Sequence, residues 1–197
     1  MRNRFIVGIF IICCVCSCGK KTNVQFEYYD NGNLKKQHTT ISGRQHGPMI
    51  RFHENGQLCS IDTYVNGHIE GKSRYWYSNG ERSEEVDYKD SLMHGKGVIW
   101  TEAGKKVLEC EYAQGRINGK IQRWTDEGEL LTEGYYSNGV PWEGSFLKWD
   151  PAKKTFKLLI YSKGDNVSEL QMDKSKINEI GLFDLRRIKE EQLEPSP

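Results

Sequence analysis

Short segments of alternating apolar and polar residues, separated by turns that contain glycine, run through most of the chain. One example is Trp100, followed by the turn Glu102-Ala103-Gly104 and then by the alternating segment Lys106–Tyr112. Alternation with a period of two is typical of a half-buried β-strand, and a glycine turn between two such segments is typical of a hairpin. The pattern therefore predicts an all-β chain.

The hairpins recur every 24 residues. Four columns of residues keep that step: two of glycines, one of mixed aromatic residues and one of tyrosines. Their members are Gly32, Gly56, Gly80, Gly104 and Gly128; Gly47, Gly71, Gly95 and Gly119; Tyr28, Phe52, Trp76, Trp100 and Trp124; and Tyr64, Tyr88, Tyr112 and Tyr136. A fixed period of this length is the signature of a repeat protein. We expect five clear repeats and a degenerate sixth over residues 27–167.

The first turn of each repeat ends in glycine, as in Glu54-Asn55-Gly56. A two-residue type I′ turn needs a positive φ at both central residues, which Ala103 and Glu127 would resist. A three-residue loop with only the glycine in the left-handed region fits all five repeats. That loop predicts the pairs Phe52 with Leu58, Trp76 with Arg82, Trp100 with Lys106, and Trp124 with Leu130. A second turn near Asn66-Gly67 would complete an antiparallel meander.

Strict alternation assigns the side chains to two faces of this sheet. One face would carry the tryptophan and tyrosine columns together, including Phe52, Leu58, Tyr64, Trp100, Lys106, Leu108, Cys110 and Tyr112. The other face would be mostly solvated and would carry Arg51, His53, Thr63, Glu85, Asp87, Glu109, Glu111, Arg123 and Glu133. Stacked rings from adjacent repeats would stabilise a single layer that has few aliphatic residues.

Composition and charge agree with a thin aromatic sheet. The 197 residues are 37% hydrophobic and 11% aromatic, and 16 of the 20 glycines lie between Gly32 and Gly144, where they mark turns. Lysine and arginine number 28 against 27 aspartates and glutamates. A net charge this close to zero gives no long-range positive field, so we expect no nucleic-acid partner.

The first 17 residues have the layout of a secretory signal peptide. Two arginines precede an uncharged run, residues 5–19, which is too short for a spanning helix. The sequence Val15-Cys16-Ser17-Cys18 resembles a bacterial lipobox, which implies cleavage before Cys18 and attachment of lipid, palmitate included, to that cysteine. An uncleaved anchor or a plain signal peptide is the alternative. Residues 18–26 would form a lipidated tether in the bacterial cell envelope, at the outer membrane if the cell is Gram-negative.

The glycine and aromatic columns, together with His46-Gly47 and His94-Gly95, resemble MORN repeats. The resemblance is closest to the bacterial variant found in antitoxin-like proteins, whose units have the form Tyr-x-x-Asn-Gly-x-Leu. It implies an elongated, single-layer β array that binds proteins, serves as a scaffold or associates with a membrane. The chain departs from the pattern at Ser91, which replaces a glycine, and at Pro48.

After Val167 the repeat pattern ends. Residues 171–193 are rich in helix formers, with apolar residues near helical spacing at Ile177, Ile180, Leu185 and Ile188. We expect residues 168–197 to form a short helical cap and tail that cover an end of the sheet. A free, partner-binding helix is the alternative.

No catalytic or cofactor motif accompanies the repeats. His46 and His94 lie two repeats apart, about 19 Å at roughly 4.8 Å per strand, so they cannot share a metal. The same geometry separates Cys59 from Cys110, and free thiols are expected. An acidic column could contact a cation or a basic peptide, although a solvated face is the simpler interpretation; its members are Glu85, Glu109 and Glu133. We expect no metal, no cofactor and no enzymatic activity.

These observations favour a non-enzymatic, lipid-anchored envelope protein whose repeat sheet binds a protein partner or acts as a scaffold. Exposed aromatic residues would supply the contacts. The candidates are Trp76, Trp100, Trp124, Trp142 and Trp149. One alternative is an immunity or antitoxin protein that occludes a toxin, and another is an envelope enzyme with a site in the irregular sixth repeat.

Overall fold

The computed structural model describes residues 10–15, 21–150 and 155–172, and these residues form β-strands and turns. The strands are β1 (Phe10–Val15), β2 (Lys21–Tyr28), β3 (Leu34–Ile41), β4 (Arg44–Phe52), β5 (Leu58–Val65), β6 (His68–Ile69), β7 (Gly71–Trp76), β8 (Arg82–Lys89), β9 (Leu92–Trp100), β10 (Lys106–Ala113), β11 (Arg116–Trp124), β12 (Leu130–Ser137), β13 (Val140–Asp150), β14 (Thr155–Ser162) and β15 (Asp165–Met172). The predicted all-β antiparallel meander is confirmed. In this part of the chain no helix has the length and apolar character needed to cross a membrane.

The chain divides into two compact units, residues 1–93 (unit 1) and residues 94–197 (unit 2). In unit 1 the strands pair in the order β1-β2-β3-β4-β5-β7-β8, and the short strand β6 pairs with β5. In unit 2, strands β9 to β15 pair in sequence order. Each unit, in its described part, is therefore a single antiparallel layer.

The three-residue hairpin loops are confirmed. In the first of them, Gly32 N donates to Tyr29 O and Tyr29 N donates to Asn33 O, each at 2.9 Å. The loop glycines of all five repeats have φ between +75° and +91°. Ala103 and Glu127 stay outside the left-handed region, as their side chains require.

Each of the five three-residue hairpins also carries a β-bulge next to its loop. The four predicted cross-strand pairs are present, but Arg51 pairs with Ser60 while Phe52 pairs with Leu58, so Cys59 is an extra residue. Equivalent extra residues recur at the same 24-residue step: Lys35, Ser83, Val107 and Leu131. An extra residue interrupts the alternation of side chains along its strand. Two columns that strict alternation would place on one face of the sheet therefore lie on opposite faces when the bulge stands between them.

The bulge overturns the predicted placement of the tryptophan column with the tyrosine column. Trp124 lies beside the ammonium group of Lys106, among the charged residues. Tyr112 packs instead against the buried cluster that includes Leu108 and Cys110. We call these the charged face, marked in the two units by Trp76, Trp100, Trp124, Glu85, Glu109 and Glu133, and the tyrosine face, marked by Tyr64, Tyr88, Tyr112 and Tyr136.

Two arginines were predicted on the solvated face and lie on the tyrosine face. Arg51 pairs with Ser60, and Arg123 pairs with Leu108 and with Thr132. His53 belongs to a turn, where its Nε2 lies 2.8 Å from Trp76 O. The remaining residues of that predicted set lie on the charged face: Thr63, Glu85, Asp87, Glu109, Glu111 and Glu133.

The second turn of each repeat is a two-residue turn with both φ values positive, as type I′ requires. Asn66 and Gly67 have φ of +52° and +93°, and Ser91 takes the glycine position of its turn at +65°. The glycines of the second column form cross-strand pairs with tyrosines of the neighbouring strand: Gly47 with Tyr64, Gly71 with Tyr88, Gly95 with Tyr112, Gly119 with Tyr136 and Gly144 with Tyr161. The glycine and tyrosine columns therefore meet as cross-strand pairs in successive repeats.

Both ends of the array extend beyond the predicted limits of 27–167. The expected tether, residues 18–26, includes most of strand β2, where Thr22, Val24 and Phe26 alternate with polar residues and pair with β3. At the other end, β15 continues through Met172 into the predicted helical region. The rest of that region, residues 173–197, lies outside the described residues.

Candidate binding surfaces

The charged face of unit 1 is organised around Glu85. Its carboxylate lies 2.6 Å from Lys72 Nζ, 3.1 Å from Arg74 Nε and 3.3 Å from Arg82 Nη1. Burial alone would raise the pKa of Glu85, but the hydrogen bonds from Lys72 and Arg74 outweigh it and hold this pKa below its usual value. The carboxylate is therefore already neutralised by cross-strand neighbours.

The same arrangement recurs on the charged face of unit 2. Glu109 lies 2.7 Å from Lys96 Nζ and 3.0 Å from Lys106 Nζ, and Glu133 lies 3.0 Å from Lys120 Nζ. Hydrogen bonds from these lysines lower the pKa of both carboxyl groups. The acidic column is thus paired within the sheet rather than open to a cation.

Three of the five candidate tryptophans lie on the charged face, together with these ion pairs. Trp76, Trp100 and Trp124 are half-buried, and Lys106 Nζ lies 4.0 Å from the centroid of the Trp124 ring. This distance is within the range of a cation–π contact. Trp142 is the extra residue of a bulge in β13 and is 46% exposed. Trp149 belongs to β13, but its side chain lies outside the described part of the structure.

The tyrosine face of unit 1 holds a buried polar network. Asp62 is 2% exposed; its Oδ2 accepts from Arg51 Nη1 at 2.7 Å, and its Oδ1 accepts from Tyr75 Oη at 3.2 Å. Arg51 Nη1 also donates to Ser60 Oγ at 3.2 Å. Burial and the nearby Asp62 carboxylate raise the pKa of Tyr75, so its hydroxyl stays a donor. Sequence analysis missed this network because it placed Arg51 on the other face.

Other polar groups surround that network. Ser73 is fully buried and its Oγ has no hydrogen-bond partner. Glu84 pairs with Tyr75 across the sheet, and burial raises the pKa of its carboxyl group. Lys36 Nζ lies 2.6 Å from Glu27 on the neighbouring strands. This face of unit 1 is therefore polar as well as aromatic.

The tyrosine face of unit 2 is apolar by contrast. Its buried cluster consists of Leu108, Cys110, Ile117, Ile121, Tyr136 and Phe146. The Phe146 ring meets Tyr136 and Tyr161 edge to face, with centroids 5.0 Å and 5.6 Å away. One charged residue, Arg123, lies next to this cluster and is 3% exposed. The 72-residue spacing between Arg51 and Arg123, three repeat lengths, is the sequence signal that could have paired them.

Cysteine and histidine side chains form no metal site in the part of the chain that the structure describes. Cys59 and Cys110 form no disulfide, as expected from their separation. His46 Nδ1 accepts a long hydrogen bond from Asn66 N at 3.4 Å. Cys18, the predicted lipid site, lies outside the described residues. The preceding strand β1 pairs with β2.

These features define an antiparallel β-sheet repeat protein with one charged face and one tyrosine face in each unit. Residues 21–41, 45–66 and 69–90 match the family described as MORN repeat variant. The chain therefore contains three tandem repeats of this kind, all in unit 1. A search of curated proteins returned no match.

One similar solved structure is described as "Glycosylation Associate Protein (Gap123) complex from Streptococcus agalactiae". The two chains are 19% identical, with a TM-score of 0.32. The similarity covers 51% of this chain and 18% of that one, and so low a score adds nothing to the assignment of fold or function.

Proposed function

We propose that the chain is a non-enzymatic, lipid-anchored protein of the bacterial cell envelope whose repeat sheet binds a protein partner through its charged face. MORN repeats typically act as protein-binding or membrane-binding modules. The observation that carries the proposal is the column of half-buried tryptophans set among paired charges. Tryptophan, tyrosine and arginine are the residues most enriched among those that dominate binding energy at protein interfaces, and tryptophan and arginine lie together on the charged face of unit 1, at Trp76 and Arg74.

The ion pairs favour a partner with a mixed surface. Glu85 in unit 1 and Glu109 and Glu133 in unit 2 each have a basic neighbour, so the charged face of each unit carries both signs of charge at short range. Such a surface selects a partner by the positions of its charges rather than by net attraction. A complementary surface with apolar pockets for the rings would fit it.

Tryptophan substitutions test the surface. We expect Trp76→Ala and Trp124→Ala each to weaken partner capture at least tenfold, as removal of a central interface tryptophan does. The matched control is Tyr112→Phe on the tyrosine face, which should leave capture unchanged. Thermal melts of each variant would separate lost contacts from lost folding. Unchanged capture by both tryptophan variants would refute the proposed surface.

Lipid anchoring has a separate test with its own control. Cys18→Ala should abolish palmitate labelling and release the protein from membranes, whereas Cys16→Ala should do neither. If cleavage occurs before Cys18, it removes β1 and leaves β2 as an edge strand of unit 1. Membrane retention of Cys18→Ala would favour an uncleaved anchor.

The immunity hypothesis makes a different prediction about the same partner. The captured protein would then be a toxin whose expression is lethal without this chain. A captured partner that is harmless when expressed alone would leave the scaffold hypothesis in place and eliminate the immunity role.

A further inference from the structure

Arg123 is a buried cation whose best hydrogen-bonding edge is vacant. Its side chain lies between Leu108 and Thr132 on the tyrosine face of unit 2, and the residue is 3% exposed. The Nε and Nη2 atoms are both buried and neither has a hydrogen-bond partner. These two groups form one side of the planar guanidinium, the side that binds a carboxylate through two parallel hydrogen bonds.

The equivalent arginine in unit 1 has the partner that Arg123 lacks. Arg51 lies 72 residues earlier, and its carboxylate partner Asp62 corresponds to Gly134 in unit 2. A Cβ placed on Gly134 would lie 2.8 Å from Cε1 of Phe146, so the aromatic ring occupies the space that an aspartate side chain would need. The repeat has kept the arginine and lost its internal carboxylate.

No other acidic residue of the flanking strands faces this guanidinium. Glu109, Glu111 and Glu133 lie on the opposite face of the sheet, where Glu109 and Glu133 form ion pairs with lysines. The titratable groups around Arg123 are the phenols of Tyr136 and Tyr112 and the thiol of Cys110. Because arginine stays protonated in proteins, the site presents one positive charge in apolar surroundings.

We propose that Arg123 is the receptor for one carboxylate of an acidic peptide, which enters through the tyrosine side chains of unit 2. The proposal goes beyond the tryptophan surface and does not depend on it. One guanidinium edge balances the single charge of a carboxylate, whereas a phosphate of nearly two charges would leave an excess buried charge. The surrounding Leu108, Ile121 and Phe146 favour a carboxylate with apolar neighbours.

The route to Arg123 crosses only side chains. Within the described part of unit 2 every strand belongs to one sheet layer, so side chains rather than a second layer cover this face. Tyr112 is half-buried beside the cluster and is one of the tyrosines around Arg123. Binding would order that ring and satisfy both vacant N–H groups.

The probe is a blocked tripeptide with glutamate between two leucines, titrated into the full-length protein. The readout is the Nε–H resonance of Arg123 in protein labelled with ¹⁵N-arginine, together with affinity from calorimetry. We expect a saturable shift of that resonance. Affinity should fall roughly tenfold or more in Arg123→Met, the effect expected for loss of charge-assisted hydrogen bonds. Arg51→Met is the matched control and should bind the probe as the wild type does, provided its melt shows that it folds.

Several outcomes would overturn the proposal. The same tripeptide with glutamine should bind at least tenfold more weakly, and equal binding would reduce the site to an apolar patch. Inorganic phosphate should not shift the resonance, and an equal shift would remove the preference for carboxylate.

A further full-length variant tests whether the chain supplies the carboxylate itself. It replaces the six acidic residues after Met172 with amides: Asp173, Glu179, Asp184, Glu190, Glu191 and Glu194. Its Arg123 resonance and probe affinity should match those of the wild type. A large gain in probe affinity would mean that the chain's own segment occupies the site, and the acidic-peptide proposal would fail.

Discussion

The tyrosine faces of the two units share the same 24-residue repeat but are stabilised by different side-chain interactions. In unit 1 the centre of this face is Asp62, fixed by Arg51 and Tyr75. In unit 2 the corresponding region is the ring of Phe146, held between two tyrosines. The repeat therefore specifies the backbone turns and the register, while the chemistry of each face varies between repeats.

The side-chain hydrogen bonds at the three-residue loops also differ between the two units. Asn55 Oδ1 accepts from Gln57 N at 3.0 Å, and its Nδ2 donates to Ser78 O of the next repeat at 2.7 Å. In unit 2 the equivalent positions are Ala103 and Glu127. Thr125 Oγ1 instead accepts from Glu129 N at 3.2 Å. The family match covers the repeats with asparagine at this position and stops before those without it.

The largest effect should come from the apolar core of unit 2. Phe146→Ala should destabilise strands β12–β14 by about 3–5 kcal/mol, because it removes a buried ring that contacts Tyr136 and Tyr161. Hydrogen exchange measured by mass spectrometry would locate the loss. Val140→Ala, at a position that is 48% exposed, is the control and should change stability by less than about 0.5 kcal/mol.

Asp62→Ala should produce the next largest effect, in unit 1. It removes the acceptor for Tyr75 and Arg51, and the expected cost is about 2 kcal/mol. Arg51 is 40% exposed and can turn to water, which keeps the cost below that of a fully buried pair. Asp87→Ala, whose carboxylate lies 3.5 Å from Lys72 on the charged face, should cost under about 1 kcal/mol. Equal losses in chemical denaturation would contradict the special role of the buried network.

The asparagine at the hairpin tip should contribute less. Asn55→Ala removes a turn hydrogen bond and a bond to the next repeat, for an expected loss of about 1 kcal/mol at this exposed position. The reverse change, Ala103→Asn, should raise the protection of Lys105 N against exchange. If neither variant changes local hydrogen exchange, the asparagine hydrogen bonds at the hairpin loops are not what distinguishes the two units.

The smallest effect is a pH dependence of opposite sign at two adjacent residues. The pKa of Glu84 is raised by burial, so its charged form opposes folding above that pKa, and the penalty disappears as the pH falls towards the ordinary value of 4.5. Glu84→Gln should therefore stabilise unit 1 at pH 7 and lose this advantage in acid. The pKa of Glu85 is lowered, so Glu85→Gln should destabilise at pH 7, and the difference should vanish as the pH falls through that lowered pKa. Urea melts at pH 7 and at a series of acidic pH values that extends below the ordinary carboxyl pKa would show both trends.

Sequence alone predicted the parts of the fold that glycine controls. The loop type and the four pairs at the hairpin tips follow from the loop glycines, which adopt a positive φ readily. The tyrosine column follows from the 24-residue period that these glycines mark. The bulge could not be predicted, because its extra residues are as different as Lys35, Cys59 and Leu131 and none has a positive φ. That single omission moved the tryptophans and two arginines to the wrong faces.

The candidate site was therefore predicted only in part. Trp76, Trp100 and Trp124 were identified from their column, but their surroundings of paired charges depend on the bulge. The pairing of Arg51 with Asp62 could not be found by comparing repeats, because the equivalent positions in unit 2 hold Arg123 and Gly134. The sequence alone did not show on which face of the sheet each residue lies.

One paired measurement tests the central claim that the same repeat position has opposite energetic roles in the two units. Arg51→Met and Arg123→Met would be compared by hydrogen exchange in strands β4–β7 and β10–β12. We expect Arg51→Met to lower local stability by about 2 kcal/mol, because Asp62 is left buried without its cation. Arg123→Met should leave local stability unchanged or raise it, because it replaces an unpaired buried charge with an apolar side chain. Similar losses in both variants would contradict the account.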